Sequence, residues 1–317
     1  MTPPRQVEHA SVRSPAIGIT AAFAAAAIAA GWQVATRAGL TAGGVTPIDL
    51  ALFRYGMPAL VLLPLLVRNG LWPSAASRWL ALPLCVGGLP FGLLAMCGAQ
   101  LAPVAHMGAL LPGTMPLFTA LLAWLLLSER LALRQMAGFL VVSLGIALIT
   151  HKSLAGFGPS TLTGDLLFLL AALAWAVFTI TFRVAGIPPW HAAALISLAS
   201  ALVALPLWFA TGTERLLAAS PEDLLWLVTM QGLLAGLAGF WTFAVAVRHL
   251  GAIGAAVSGA LVPVLATLGG ALFLSETPGK ATMLGIGATV FGIVAVAWPR
   301  HEGNAQRMAT GQFRRPA

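Results

Sequence analysis

A segment in the first half of the chain recurs in the second half at a fixed offset. Residues 108–149, GALLPGTMPLFTALLAWLLLSERLALRQMAGFLVVSLGIALI, align without a gap with residues 255–296 after a shift of 147 positions. The shift brings Pro116 onto Pro263. A repeat of this length predicts that the chain folds as two structural halves with the same arrangement of elements.

The repeated segments are apolar, and so is the rest of the chain. Of its 317 residues, 59% are hydrophobic and only 8% are charged, whereas a soluble domain has about 25% charged residues. The surface of the folded chain is therefore expected to face lipid. The net charge of +8 does not indicate nucleic acid, because the basic residues are scattered between apolar runs and form no basic stripe.

The apolar runs predict an all-α membrane protein, since a spanning helix needs about 20 mostly apolar residues. Ten runs satisfy this requirement, and we refer to them as spans 1–10. Their predicted bounds are 15–36, 48–67, 79–99, 104–127, 133–150, 163–184, 190–210, 222–246, 252–274 and 280–298. The repeat then divides the chain into an N-terminal tail (1–14), a first repeat of five spans (15–150), a linker (151–162), a second repeat of five spans (163–298) and a C-terminal tail (299–317).

The basic residues between the spans predict the orientation in the membrane. With the N-terminus inside, twelve of the seventeen lie on the cytoplasmic side, namely Arg5, Arg13, Arg68, Arg78, Arg130, Arg134, Arg183, Arg248, Arg300, Arg307, Arg314 and Arg315. The external side receives Arg37, Lys152, Arg215 and Lys280, and Arg54 lies within span 2. This excess predicts that both termini are cytoplasmic. Because each half has an odd number of spans, the second half is inverted relative to the first.

Two motifs recur in the halves and carry a resemblance to a known family. Each half has a proline near the middle of its fourth span and a Ser-Glu pair just past that span: Pro116 with Ser128-Glu129, and Pro263 with Ser275-Glu276. Three arginines also belong to this resemblance: Arg54 in span 2, and Arg37 and Arg183 at the ends of spans 1 and 6. Over residues 15–298 the chain resembles the EamA domain of the drug/metabolite transporter superfamily, ten-helix type. The resemblance implies a transporter of metabolites or amino acids, commonly an exporter, that works by alternating access.

Proline and glycine in spans 4 and 9 predict a pair of interrupted helices in corresponding positions. Each proline removes a backbone donor and frees the carbonyl four residues earlier. Lipid tolerates such a carbonyl only beside protein or a wet cavity. We therefore expect broken helices at Pro112, Gly113 and Pro116 in span 4, and at Gly259 and Pro263 in span 9. A packing kink remains the alternative for each proline taken alone.

Small residues predict where the helices approach closely. Spans 3 and 8 carry several glycines, at which helices either slide or pack statically. In spans 5 and 10, Gly138 and Gly145, and likewise Gly285 and Gly292, lie seven residues apart on one helical face. We expect these four glycines to pack the two peripheral spans. A central cavity is then expected between spans 1, 3, 4, 6, 8 and 9.

Ionisable groups inside a bilayer are costly and mark candidate sites. Arg54 is expected either to bind an anionic group such as a carboxylate or to bond carbonyls freed near a broken helix. Asp49 and Asp165 fall near the outer ends of spans 2 and 6, and no acid falls at the centre of a span. This pattern predicts facilitated transport rather than proton coupling through a buried carboxylate. Asp165 and His106 are the remaining candidates for groups that couple transport to protons.

Glu129 and Glu276 end spans 4 and 9 on opposite sides of the membrane. We expect them to tie helix ends to neighbouring loops, Glu129 through Arg130 or Arg134 and Glu276 through Lys280. Neither is expected to be a transport site.

Polar and aromatic side chains predicted to lie inside or at the ends of the spans form the expected substrate site: Trp32, Gln33, Arg54, Met96, Gln100, Trp175, Phe178, Thr179, Trp241 and Ser258. Contact with lipid is the simpler alternative for Trp175 and Trp241, because tryptophan is common on membrane-facing surfaces.

The sequence lacks the usual signatures of an enzyme. It has no GxxxxGK[ST] loop for a nucleotide, so no ATPase subunit is implied. We expect no cofactor and no metal. The expected partners are a small-molecule substrate and the lipid bilayer, with no nucleic acid, and the expected state is a monomer or weak dimer in the bacterial inner membrane. Two alternatives stay open: a multidrug or lipophilic-compound exporter, which the absence of an acid from span 1 disfavours, and a non-transporting structural membrane protein.

Overall fold

The computed structural model describes residues 14–42, 45–72, 78–152, 158–211, 216 and 220–297. Nearly all of the two predicted tails, and residues 153–157 of the predicted linker, lie outside these ranges. Within them the chain is helical and has no strand. The helices are α1 (Pro15–Thr41), α2 (Pro47–Asn69), α3 (Ala81–Cys85) after a 3₁₀ turn (Arg78–Leu80), α4 (Leu89–Leu101), α5 (Val104–Leu127), α6 (Leu133–Lys152), α7 (Pro159–Ala185), α8 (Pro189–Thr211), α9 (Pro221–Leu227), a π-helical segment (Val228–Ala238), α10 (Gly239–Ser258), α11 (Leu261–Phe273) and α12 (Lys280–Ala297).

These helices correspond to the predicted spans, and the prediction of an all-α membrane protein is confirmed. Among the described residues, nine helical stretches are long and apolar enough to cross a membrane. The remaining one, α11, is apolar but has only 13 residues. Its shortness arises because the first part of predicted span 9 continues α10 as far as Ser258. The chain then turns at Gly259 and Ala260 before α11 begins.

Local sequence explains where several helices begin. α1, α2, α7, α8 and α9 each start at a proline, whose missing N–H is not needed in the first turn. At the start of α2, the Asp49 carboxylate accepts a bond from the Thr46 N–H at 2.7 Å, and the Thr46 hydroxyl accepts one from the Asp49 N–H at 3.4 Å. This capping box satisfies two backbone donors that the helix itself leaves unpaired.

The packing between the halves follows a twofold relation. Span 1 packs against span 8, and its repeat counterpart, span 6, packs against span 3. Span 2 packs against span 7, and span 5 against span 10. An exchange of the two halves converts the first two pairings into each other and leaves the last two unchanged. The repeat seen in the sequence is therefore also a repeat in the packing.

The backbones approach most closely where α6 meets α12. A Cβ atom on Gly145 would lie 2.7 Å from the carbonyl oxygen of Gly285, and one on Gly285 would lie 2.5 Å from the carbonyl oxygen of Gly145. A Cβ atom on Gly292 would lie 2.8 Å from the carbonyl oxygen of Gly138. The predicted packing role of these four glycines is confirmed, because any side chain there would force the two helices apart.

The predicted break in span 4 is wrong. α5 runs unbroken from Val104 to Leu127 through Pro112, Gly113 and Pro116. A membrane helix tolerates internal proline because local adjustments, hydroxyl side chains and neighbouring helices compensate for the lost bond. The expectation of interruption holds only for the second half, where the chain turns at Gly259.

Proline at position 263 does not cause that turn. Pro263 lies in the first turn of α11, where the helix needs no backbone donor.

The other interruptions lie in spans 3 and 8. Span 3 is interrupted by a turn at Val86–Gly88, between α3 and α4. Span 8 contains the π-helical segment Val228–Ala238. π-helical turns are rare in proteins overall, but those that occur often lie at functional sites. Since spans 3 and 8 are repeat counterparts, the irregular backbone falls in corresponding positions of the two halves, which is a recurring feature of membrane proteins built from inverted repeats.

Candidate functional site

A cationic side chain without a full set of partners lies on the inward face of α2. The guanidinium carbon of Arg54 lies 4.2 Å from the centre of the Trp32 ring and 5.9 Å from that of Tyr55. Its Nε and Nη1 atoms are buried and have no hydrogen-bond partner. Burying donors of a charged group without acceptors costs free energy. The arrangement therefore presents two donors suited to an anionic acceptor.

The indole ring under Arg54 is held in place by a residue of the π-helical segment. Trp32 Nε1 donates to Gln231 Oε1 at 2.9 Å, and Gln231 Nε2 donates to Thr36 Oγ1 at 3.1 Å. Gln231 is only 1% exposed. These two bonds fix α1 against span 8 and orient the aromatic face that contacts the guanidinium. Buried bonds of this kind preorganise a binding surface.

A second polar atom without a partner belongs to Gln33, the next residue of α1. Gln33 is 3% exposed, and its Oε1 atom is buried with no hydrogen-bond partner. A Cβ atom on Gly108 would lie 3.3 Å from this oxygen and 3.5 Å from the Cα atom of Pro263. The Gln33 amide therefore lies where α1, α5 and α11 meet, and it offers an acceptor there.

A row of aromatic rings extends from Trp32 across α4 and along α7. The ring centres are separated by 6.3 Å from Trp32 to Phe91, 5.0 Å from Phe91 to Trp175, 5.0 Å from Trp175 to Phe178 and 5.9 Å from Phe178 to Phe182. The row joins the Arg54 site to the end of α7 and provides an apolar surface beside a positive charge.

The break in span 3 is stabilised by side chains from two other helices. The Tyr55 hydroxyl donates to the Gly88 carbonyl at 2.6 Å, and the Leu89 N–H donates to the Ser200 hydroxyl at 2.9 Å. These bonds pair backbone groups that an apolar interior would otherwise leave unsatisfied. The interruption is thus anchored next to Arg54, through its neighbour Tyr55.

The repeated Ser-Glu motif forms the same helix end in both halves. Ser128 and Ser275 adopt left-handed φ angles of 56° and 54°. The following N–H groups bond to carbonyls six residues earlier, Glu129 to Ala123 and Glu276 to Gly270. A left-handed residue followed by a bond back to the last helical turn is a common way for a helix to end. It turns each glutamate away from its own helix.

Each glutamate pairs with an arginine of the opposite half. Arg37 Nε bonds Glu276 Oε1 at 2.8 Å, and Arg183 bonds Glu129. The sequence predicted other partners, namely Arg130 or Arg134 for Glu129 and Lys280 for Glu276. The structure corrects both predictions. The reason is that the helix end directs each carboxylate across the interface between the halves and not back to its own loop.

The two ion pairs lie at opposite ends of the bundle. We call the end that holds Arg37 and Glu276 the outer end, after the orientation that the basic residues predict, and the other the inner end. At the outer end Arg37 also donates to the carbonyls of Ala99 and Gln100 at 2.8 and 2.9 Å, and Glu276 Oε2 accepts from the Val104 N–H at 2.8 Å. The side chains of Arg183 and Glu129 are 51% and 45% exposed, against 17% and 20% for the outer pair. The outer end is the more firmly closed.

A cavity of about 240 Å³ lies at the outer end between α5, α11 and the start of α12. Its polar lining includes His106, Thr267, Glu276 and Thr282. The cavity adjoins the ion pair that closes this end.

The structure places the ten predicted substrate residues in different surroundings. Five belong to the Arg54 site, its aromatic row or the core beside them: Trp32, Arg54, Met96, Trp175 and Phe178. Gln33 lies at the junction of α1, α5 and α11, Ser258 is buried at the end of α10, and the Thr179 hydroxyl bonds the Trp175 carbonyl of its own helix. Gln100 and Trp241 are exposed, so their side chains lie outside the buried site.

The two halves of the structure correspond to two matches with one protein-family model. The model of the EamA-like transporter family matches residues 16–151 and again residues 162–298. The chain belongs to the EamA-like transporter family. Both matches together cover almost every described residue, so this EamA-like protein consists of two family domains in tandem.

Several proteins are similar to this EamA-like protein. An uncharacterised protein of Pseudomonas aeruginosa is 35% identical over 62% of the chain and 66% of its own length. The uncharacterised transporters YyaM and YdfC of Bacillus subtilis are 28% and 29% identical, over 45% and 81% of the chain and 48% and 83% of their own lengths. The chain thus spans slightly less than two thirds of the first relative and about half of the second. A solved crystal structure matches 89% of the chain and 95% of its own with a TM-score of 0.58 at 22% identity, which shows the same fold.

Sequence reasoning missed Gln231 at the site. The only signal was a single amide in the long apolar run of span 8, and it did not show that the amide meets Trp32 and Thr36 of span 1.

Proposed function

We propose that the protein is a secondary transporter that exports small metabolites bearing a carboxylate, such as amino acids or their analogues, by alternating access. Family membership supports membrane transport. The observation that carries the substrate class is the Arg54 guanidinium, whose Nε and Nη1 donors are buried without acceptors. Each of these donors can form a charge-assisted hydrogen bond with an oxygen of an anionic group, and such bonds are shorter and stronger than bonds between neutral groups.

The surroundings of Arg54 favour a carboxylate attached to an apolar group. The guanidinium stacks on Trp32, and the aromatic row continues from there to Phe91 and Trp175. A lipophilic cation, the substrate of the alternative exporter class, would be repelled by Arg54. α1 and the π-helical segment contain no acidic residue that would attract such a cation. The multidrug alternative is therefore the weaker proposal.

The two ion pairs supply the closures that alternating access requires. Each joins one half to the other, and they close opposite ends of the bundle. In the proposed cycle the outer pair breaks as the halves rock to open the site outwards, and the inner pair then holds the inner end closed. The distribution of basic residues supports an orientation in the bacterial inner membrane with both termini in the cytoplasm.

Thermal denaturation of the purified protein tests the substrate class. A ligand that binds only the native state stabilises it by about 2.7 kcal/mol at one hundred times its dissociation constant. The panel contains amino acids and aromatic and aliphatic acids, each paired with its carboxamide. We expect at least one acid to raise the unfolding temperature in a saturable way while its carboxamide does not. Equal shifts for an acid and its amide would contradict the proposal.

The unequal closures predict unequal effects of two matched substitutions. Arg37→Gln removes an ion pair and two bonds to carbonyls, whereas Arg183→Gln removes a largely exposed pair, and exposed pairs contribute only about 0–1 kcal/mol. Against a Thr282→Cys background, which places a thiol in the outer cavity, we expect Arg37→Gln to raise the rate of labelling by a membrane-impermeant maleimide about tenfold, equivalent to 1.4 kcal/mol. Arg183→Gln should leave that rate unchanged or lower it. Equal increases for both variants would show that the pairs do not close opposite ends.

A further inference from the structure

A buried histidine and a buried aspartate join the two halves near the outer end. His106 Nδ1 lies 2.8 Å from Asp165 Oδ1. His106 belongs to α5 of the first half and Asp165 to α7 of the second, and the two residues are 8% and 1% exposed. The site proposed for the substrate uses neither residue.

The second oxygen of Asp165 has no partner. Oδ2 is buried and makes no hydrogen bond, although an ionised carboxylate has about four lone-pair positions to satisfy. Asp49, the corresponding acid near the outer end of α2, differs. Its carboxylate accepts bonds from the Thr46 N–H and hydroxyl and from Trp208 Nε1 at 2.7, 2.7 and 2.8 Å. Asp49 is a satisfied structural group, while Asp165 is a charge compensated only by an imidazole.

The neighbourhood supplies little further charge to the pair. On the helices and connections packed against α5 and α7 at this end, the charged or titratable side chains described are Arg37, Glu276, Lys280, His151 and Cys97. Arg37 and Glu276 neutralise each other, and Lys280 and His151 are exposed. Around Asp165 itself the packing is tight, because a Cβ atom on Gly164 would lie 2.7 Å from the Cβ atom of Ala102. Removing charges from water here is costly unless the pair is neutral overall.

We propose that His106 and Asp165 form a proton-binding site that couples substrate export to proton entry, an inference that rests on the proposed transport function. With His106 neutral, the pair carries one negative charge. One proton taken from water at the outer end produces imidazolium and carboxylate, with no net charge. His106 lines the outer cavity and gives the proton its entry point. The proton returns to water when the inner end opens, and no bond between heavy atoms forms or breaks.

Coupling follows from the position of the pair across the interface between the halves. Opening the outer end separates α5 from α7, so the pair holds together only when that end is closed. Protonation strengthens the attraction between the two residues and hence favours the closed outer end. The carrier without substrate therefore changes from the outward-open to the inward-open state with a proton bound. The carrier with substrate bound at Arg54 makes the opposite change. Acid and histidine side chains within spans serve as such relays in other transporters.

The test uses the full chain in proteoliposomes with a carboxylate identified in the denaturation panel and the membrane potential clamped with potassium and valinomycin. A lumen one pH unit more acidic than the outside should drive accumulation of about tenfold for one proton per substrate, since one unit corresponds to about 1.36 kcal/mol. Asp165→Asn and His106→Gln should abolish this accumulation yet keep exchange of labelled for unlabelled substrate within about twofold of the unmodified protein. His191→Gln, which alters a buried imidazole in α8, is the control and should accumulate normally. Asp165→Glu should retain accumulation and excludes a general folding defect.

The outcomes separate this proposal from the proposed function. Loss of exchange for every compound would overturn the transport proposal. Normal exchange with no response to the pH gradient would overturn proton coupling and leave the facilitated transport predicted from the sequence. Accumulation that persists in both variants, or that follows a sodium gradient, would overturn the site.

A second measurement needs no substrate. Nuclear magnetic resonance of histidine-labelled protein should show one imidazole signal that is lost in His106→Gln and that changes in Asp165→Asn, because His106 Nδ1 and Asp165 Oδ1 lie 2.8 Å apart. An imidazole signal that Asp165→Asn leaves unchanged would also overturn the site.

Discussion

Replacing Arg54 with glutamine is expected to remove substrate binding while leaving the fold intact. The substitution removes the positive charge and the two unpaired donors of the guanidinium, and truncating one partner of a buried charge pair costs about 2–5 kcal/mol. Affinity for the carboxylate identified in the denaturation panel should therefore fall at least about thirtyfold. Exchange in proteoliposomes at a fixed low substrate concentration should fall by a similar factor. Tryptophan fluorescence during thermal unfolding measures whether the variant is folded.

Two further variants define what the arginine contributes. Arg54→Lys keeps the charge but not the planar guanidinium donors, and we expect an intermediate loss because the two side chains differ in geometry. Arg68→Gln removes a charge from the exposed end of the same helix and should change nothing. An Arg54→Gln variant that exchanges substrate at the normal rate would show that Arg54 only supports the structure, which is the alternative that the sequence left open.

The largest effect on stability is expected at the contact between α6 and α12. In Gly285→Leu the new Cβ atom would lie 2.5 Å from the Gly145 carbonyl oxygen and 2.7 Å from Cγ1 of Ile149. Overpacking of this kind costs about 1–3 kcal/mol, and here the obstacle is partly backbone, which cannot rotate away. We expect a clear fall in the unfolding temperature of the detergent-purified protein and a reduced yield of folded material.

The same helix offers a matched control. Gly287 has no atom within 4 Å of its ideal Cβ position, so Gly287→Leu should unfold at the normal temperature or slightly above it, since leucine favours a helix more than glycine does. Equal destabilisation by the two substitutions would mean that α6 and α12 do not pack through these glycines.

The gross architecture was predictable from sequence because it depends on long, regular signals. The 147-residue offset indicated two halves, and the helical periodicity of Gly138/Gly145 and Gly285/Gly292 indicated a packed helix pair. Both features survive in the structure, since a repeat of apolar runs and small residues admits few other packings.

The details of the site depended on contacts between distant residues and were not predictable in the same way. Proline and glycine predicted broken helices in spans 4 and 9, but α5 runs unbroken through Pro112 and Pro116, and further irregular backbone lies in spans 3 and 8. Gln231 joins the site only because the π-helical segment packs against α1. Composition within one span carries no information about such contacts.

The partners in the two ion pairs were likewise not predictable from sequence. Nearby arginines and a nearby lysine were the obvious partners of Glu129 and Glu276 by sequence distance. The left-handed serine before each glutamate directs the carboxylate across the interface, to an arginine more than fifty residues away. Only the relation between the inverted halves explains why two such pairs form at opposite ends.

Counterflow is the most direct test of the central claim that this chain is an alternating-access carrier with a carboxylate site at Arg54. Proteoliposomes are loaded with a high concentration of unlabelled carboxylate and diluted into a trace of the labelled compound, without an ion gradient. A carrier should produce transient accumulation of label above the external concentration, which unlabelled acid added outside removes and its carboxamide does not. Simple equilibration without an overshoot, for every acid that stabilises the protein, would contradict the account.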